Sequence, residues 1–147
     1  MFGLSVTERL LEFHKIRNSI ENIELQEQIL TIVALWEKAP QCNQYYSADF
    51  TENWPDPWQL LADGVYDPVS VGLGMFYTLA LLQHKQYNTL KLLSIRERDS
   101  NELKLIVQVD ELLLNLVSGE VIESKAATPN IIVCNEYTPS YFSCLTH

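Results

Sequence analysis

Asp67-Pro-Val-Ser-Val-Gly-Leu-Gly-Met-Phe-Tyr-Thr-Leu-Ala-Leu-Leu82 carries an acidic residue at its mouth and no charge from Pro68 to Leu82. Asp67 suits an N-cap, whose carboxylate accepts backbone N–H bonds, and Pro68 suits the first helical position, where its missing N–H is not needed. The spacing predicts a helix over 69–83. Its apolar residues lie on every side, which implies burial on every side. It is too short to cross about 30 Å of hydrocarbon and carries Gly72 and Gly74, so it reads as a core helix.

Upstream, Asn53-Trp-Pro-Asp-Pro-Trp58 repeats the same punctuation, with Asp56 as cap, Pro57 in the first turn of a short helix through Leu61, and Asp63-Gly64 as its exit. Earlier still, Leu25, Ile29, Ile32, Val33 and Trp36 recur at helical spacing, with Glu27, Gln28 and Glu37 on the other side. Leu10, Leu11, Phe13 and Ile16 suggest another helix over 7–17 with Thr7 as cap, although a strand is also compatible with the β-branched content. Pro40 ends the second helix, and the polar, aromatic stretch to Asp56 has no period, which predicts a long ordered loop.

After Asn88 the period becomes alternating. Strands are expected over 90–95 and 103–109, then after Asp110-Glu111 over 112–116, and after Ser118-Gly119 over 120–123. The predicted class is α+β, with the N-terminal helices and the buried central helix packed on a small antiparallel sheet. Residues 131–134 supply a further candidate strand, and Tyr137, Tyr141, Phe142 and Leu145 mark an apolar tail that needs either the domain's own sheet edge or another chain. The expected organisation is one domain over 1–124 followed by a strand or arm over 125–147.

Bulk properties narrow the functional classes. At 147 residues, folding buries roughly two thirds of the unfolded chain's surface, enough for a core without staples. A net charge of -9 repels phosphate backbones, so no direct nucleic-acid partner is expected. Cys42, Cys134 and Cys144 form no metal or disulfide spacing, and His14, His84 and His147 match no zinc pattern, so no metal or cofactor is predicted. The start of the chain lacks the pattern of a secretory signal, and no membrane association is expected.

Trp36-Glu-Lys-Ala-Pro40, Trp54-Pro-Asp-Pro-Trp58-Gln-Leu-Leu61 and Leu73-Gly-Met-Phe-Tyr-Thr-Leu79 resemble a little-characterised family of tailed-bacteriophage proteins, over about residues 36–120. The order of elements resembles a transglutaminase-like cysteine peptidase fold. That resemblance implies a tyrosine followed by the nucleophilic cysteine before the apolar helix, where this chain has Tyr66 and Asp67. It places the expected histidine near Lys104 and the expected aspartate near Asn115, so all three catalytic types are changed. A helix N-terminus stabilises a thiolate and an imidazole activates it, and neither group is supplied at these positions. The bland reading makes Asp67 a cap, Lys104 a solvated strand residue and Asn115 a turn residue.

The leading expectation from the sequence is therefore a non-catalytic bacteriophage protein acting as a virion-structural or assembly module, located in the virion or the host cytoplasm. Its partners would be other virion proteins, a host protein or a second copy of the chain. Trp54, Trp58, Tyr137, Tyr141 and Phe142 are the candidate binding residues, because large aromatics are enriched in binding hot spots; the same residues also serve to close a core. One alternative is an amide-bond enzyme of transglutaminase-like type working through Cys42 or Asp67. Another is an acidic factor that captures a basic host protein, with salt-sensitive binding.

Overall fold

A computed structural model describes residues 1–145. The first helix, α1 (Val6–Ile20), starts earlier than the apolar spacing indicates, because Ser5 rather than Thr7 is its cap. The Ser5 hydroxyl accepts from the Glu8 N–H and donates to the Glu8 carboxylate at 2.7 Å, a local exchange characteristic of a helix start. Helix α2 (Leu25–Glu37) buries Ile29, Ile32, Val33 and Trp36. Gln28, assigned by its polarity to the solvent face, is fully buried. Its amide donates to the carbonyls of Ile20 at 2.7 Å and Glu21 at 3.3 Å, satisfying acceptors at the end of α1 that would otherwise be orphaned.

Helix α3 (Pro57–Asp63) is capped by Asp56, which accepts from the Gln59 N–H at 2.8 Å, and Gly64 ends it at φ 82°. Helix α4 (Pro68–Ala80) is buried from Val69 to Leu79. Its two glycines answer two different neighbours. A Cβ on Gly72 would stand 2.7 Å from the Leu105 carbonyl oxygen, and one on Gly74 would stand 2.6 Å from the Trp36 ring. The helix thus touches the sheet on one side and α2 on the other at distances only glycine permits.

The sheet contains β1 (Leu90–Glu97), β2 (Leu103–Val109), β3 (Leu112–Leu114) and β4 (Val121–Glu123), then, after the short helix α5 (Ser124–Ala127), β5 (Ile131–Tyr137). All neighbours are antiparallel in the order β4-β3-β2-β1-β5. Leu90, Leu92, Leu105, Val107 and Val109 belong to the main core with α4, while Leu93, Ile95 and Ile106 form a smaller cluster with Leu113 and Ala127 on the opposite face. Residues 131–137 add a strand at the sheet edge, and beyond them Tyr141 and Phe142 leave the sheet, with Phe142 packed against Phe76 and Tyr77 of α4. β5 pairs with β1, and its register shifts opposite Ser94 and Ile95, leaving Cys134 as the extra residue of a bulge.

Candidate active site at the mouth of helix α4

Asp67 is fully buried, and four donors occupy its carboxylate. Oδ1 accepts from the Ser70 N–H and hydroxyl, both at 2.7 Å. Oδ2 accepts from the backbone N–H groups of Tyr45 at 2.9 Å and Tyr46 at 2.8 Å. The residue is the cap foreseen from the sequence and, beyond that, the anchor of the loop before α3. That loop is fixed a second time where Tyr66 N donates to the Pro40 carbonyl at 2.8 Å and Cys42 N to the Tyr66 carbonyl at 3.1 Å. Tyr66 itself is buried against the rings of Phe2 and Trp36, at 5.3 and 5.6 Å between centroids.

Cys42 consequently lies at the mouth of α4, partly buried and close enough to Asp67 to feel its charge. Burial and the Asp67 carboxylate both push its thiol above the ordinary range. The neighbouring phenols respond to the same surroundings. Burial, then Asp63 and Tyr45, push Tyr46 up to about 12. The mouth is thus an environment that resists added negative charge.

The remaining positions implied by the transglutaminase-like resemblance separate. Asn115, at φ 72°, turns its amide towards α4 and donates to the carbonyls of Leu105 at 2.9 Å and Pro68 at 3.1 Å. Lys104 lies on the same face of β2 as Ile106, away from α4, because strand side chains alternate. Its ammonium pairs with Glu97 and donates to the Leu116 carbonyl at 3.1 Å. Asp67 and Asn115 are therefore brought to one helix end, while the Lys104 head group is held on the other side of the sheet.

A cleft of about 220 Å³ runs beside this helix end, lined by Gln44, Pro68, Val69, Leu103, Leu105 and Asn115 among others. No histidine reaches it among the described residues: His14 meets Asn18 on α1, and the His84 backbone N–H bonds Glu21. His147 lies outside the described residues.

The aromatic candidates divide as well. Trp54, Tyr137, Tyr141 and Phe142 meet in one cluster, with Trp54 at 5.2 Å from Tyr137 and 6.3 Å from Phe142. Phe142 closes over Phe76 and Tyr77 of α4 at 5.3 and 5.6 Å, and the Tyr141 hydroxyl bonds the Thr51 hydroxyl at 2.8 Å. Trp58 stands apart on α3, 46% exposed, beside the Arg17 guanidinium. Sequence reasoning missed the Tyr45 and Tyr46 N–H groups, since backbone donors leave no residue-type signal. It also missed Arg9, a buried cation that donates to the carbonyls of Leu61 at 2.6 Å and Leu4 at 2.8 Å.

The fold is similar to that of Legionella pneumophila LapG, with a TM-score of 0.74 at 13% identity, covering 90% of this chain and 76% of LapG. The fold is transglutaminase-like. Calcium-bound LapG gives a TM-score of 0.72 at 13% identity over 92% of this chain and 77% of LapG. The EGTA-treated form gives 0.74 at 13% identity over 90% and 74%. No protein-family model matches the chain, and no curated protein matches it in sequence.

These neighbours correct the leading expectation. LapG has a transglutaminase-like cysteine protease fold, so the likeness overturns a non-catalytic virion-structural or assembly module and directs the reading to the enzyme-type alternative. Among the described residues no group of three or more His, Cys, Asp or Glu side chains is placed to hold a metal ion. Among those residues no helix is long and apolar enough to cross a membrane.

Proposed function

We propose that this chain acts on peptide amide bonds as an enzyme of transglutaminase-like type, with the cleft beside α4 as its substrate site and the Cys42 thiol as its nucleophile. The observation that carries the proposal is the position of Cys42 at the mouth of the buried helix, within a fold similar to LapG over most of its length. Asp67 is a poorer nucleophile, because its four donors hold both oxygens in place. Thiolate attack on the amide carbonyl would form a thioester and release the amine, which takes its proton from water; the hydroxide so formed then cleaves the thioester, releasing the carboxylic acid, which ionises, and returning the thiolate. With the thiol pushed up by burial and Asp67, the thiolate is scarce at neutral pH, so turnover is slow there and rises with alkalinity.

The test is release of new amines from a pool of capped, neutral hexapeptides by the full chain, followed from pH 7 to 9.5. Release that climbs with pH and disappears in Cys42→Ser supports the proposal. Absence of release, or release that survives in Cys42→Ser, overturns it.

The phage-like motifs around Trp36, Trp54 and Leu73 support a further proposal, that the chain comes from a tailed bacteriophage and works in the host cytoplasm or the virion. A host protein, a virion protein or a second copy is the proposed partner class. The net charge of -9 favours a basic one over nucleic acid.

A further inference from the structure

Strand β2 is hydrogen-bonded unequally on its two sides. The Glu97 N–H donates to the Glu102 carbonyl at 2.9 Å and the Asp110 N–H to the Thr89 carbonyl at 3.0 Å, at either end of an unbroken register between β1 and β2. In an antiparallel pair the residues that exchange bonds alternate, so Glu102, Lys104, Ile106 and Gln108 direct their main-chain groups to β1. Leu103, Leu105, Val107 and Val109 direct theirs the other way. There, Val107 and Val109 meet Leu114 and Leu112 of β3. Beyond Leu114 the chain turns away at Asn115, whose amide takes the Leu105 carbonyl. The N–H groups of Leu103 and Leu105 and the Leu103 carbonyl face the cleft with no strand paired to them among the described residues.

We infer that the cleft receives an extended segment of polypeptide, which adds to this open half of β2 as a short strand in line with β3. The inference rests on the reading of the cleft as a peptide-amide site. The occupant follows from the groups presented. Donors and an acceptor at strand spacing match a main chain, which carries the complementary set in the same repeat. An internal segment fits better than a chain end. The Lys104 ammonium is held on the far face of the sheet by Glu97 and the Leu116 carbonyl, and the helix N-terminus is already neutralised by Asp67, so neither is free for a terminal carboxylate. Exposed Glu102 at the rim favours a neutral or basic neighbour.

Binding is separable from chemistry, so the test uses the full chain carrying Cys42→Ser. In the free protein, the amides of Leu103 and Leu105 should exchange with solvent faster than those of Lys104 and Ile106. From the pool of capped neutral hexapeptides, this chain should retain members that protect the Leu103 and Leu105 amides. Leu103→Pro removes one cleft-facing N–H at the first residue of the strand, where proline is tolerated, and should weaken retention about tenfold. Ser118→Trp, outside the strands, fills the cleft from its rim and should abolish retention whether or not the proline variant folds. Slow exchange at both amides in the free protein, no retained peptide, retention without protection, or retention unaffected by Ser118→Trp overturns the inference. Retention by Cys42→Ser together with absent amine release by the unsubstituted chain leaves the docking strand standing and removes only the proposed catalysis.

Discussion

The mouth of α4 and the aromatic corner over its other end are both closed by loops, but by opposite means. At the mouth one carboxylate collects four donors from two segments and holds them out of water. At the corner the rings of Trp54, Tyr137 and Phe142 close over Phe76 and Tyr77 mainly by ring contact, and the hydrogen bonds there are single ones, from the Tyr77 hydroxyl to the Pro55 carbonyl at 2.7 Å, the Trp54 indole to the Ser47 carbonyl at 2.8 Å and the Tyr141 hydroxyl to Thr51. A polar closure is directional and fails as a unit, because each buried donor left without an acceptor keeps its full desolvation cost. An aromatic closure fails in proportion to the area and contacts removed.

The largest expected effect is therefore at the mouth. Asp67→Ala leaves the Tyr45, Tyr46 and Ser70 N–H groups unpartnered and should cost about 3–5 kcal/mol in urea unfolding. Asp67→Asn keeps one oxygen but sets an NH2 group against donors, and should fall between the two. Alkylation of Cys42 should accelerate in Asp67→Ala, because the loop that carries the thiol loses its anchor and the thiol loses the nearby negative charge. A loss under 1 kcal/mol would show that water replaces the carboxylate easily and that the closure is not a unit.

Phe142→Ala is the matching cut at the corner. It removes a ring only 8% exposed from contact with Trp54, Phe76 and Tyr77, and should cost about 2–4 kcal/mol, at or below the full-core range because the ring is not completely enclosed. Cys42 alkylation should not change in this variant. Equal acceleration in both variants would mean that the two closures open together, and the contrast between them would be lost.

What the residues reveal in advance divides along the same line. Asp56-Pro57 and Asp67-Pro68 announce their helices because cap and first turn are decided within four residues. The charge-free run of α4 announces a buried helix, and the alternation after Asn88 announces the strands. The pairing of 131–137 with β1 was not legible, because any open strand edge offers the same hydrogen bonds and only tertiary geometry distinguishes them. Lys104 shows the limit at the site itself. Its position in the order of elements matches the expected base, yet one step of strand parity turns its ammonium to the far face with Glu97. The unequal sides of β2 were hidden for a similar reason, since β3 ends at Leu114 through a turn whose direction depends on Asn115 reaching α4.

A second buried carboxylate, Glu21, gives the smallest and most pH-dependent test. It accepts from the N–H groups of Gln83 at 2.6 Å and His84 at 2.9 Å, tying the end of α1 to the chain leaving α4. Burial pushes its carboxyl up, but those two N–H bonds and the nearby His84 and Lys85 outweigh it, leaving the group below the usual glutamate range. A folded-state pKa below the unfolded one contributes stability that is present above the unfolded value and is lost as pH falls through the folded one. Glu21→Gln should therefore lower the urea midpoint by an amount equivalent to about 1 kcal/mol near neutrality, and the gap to the unsubstituted chain should narrow below about pH 4.3. A gap that stays constant into acid would assign the contribution to shape rather than charge. It would then place Glu21 with the aromatic corner, whose contribution comes from packing, instead of with the charged closure at Asp67.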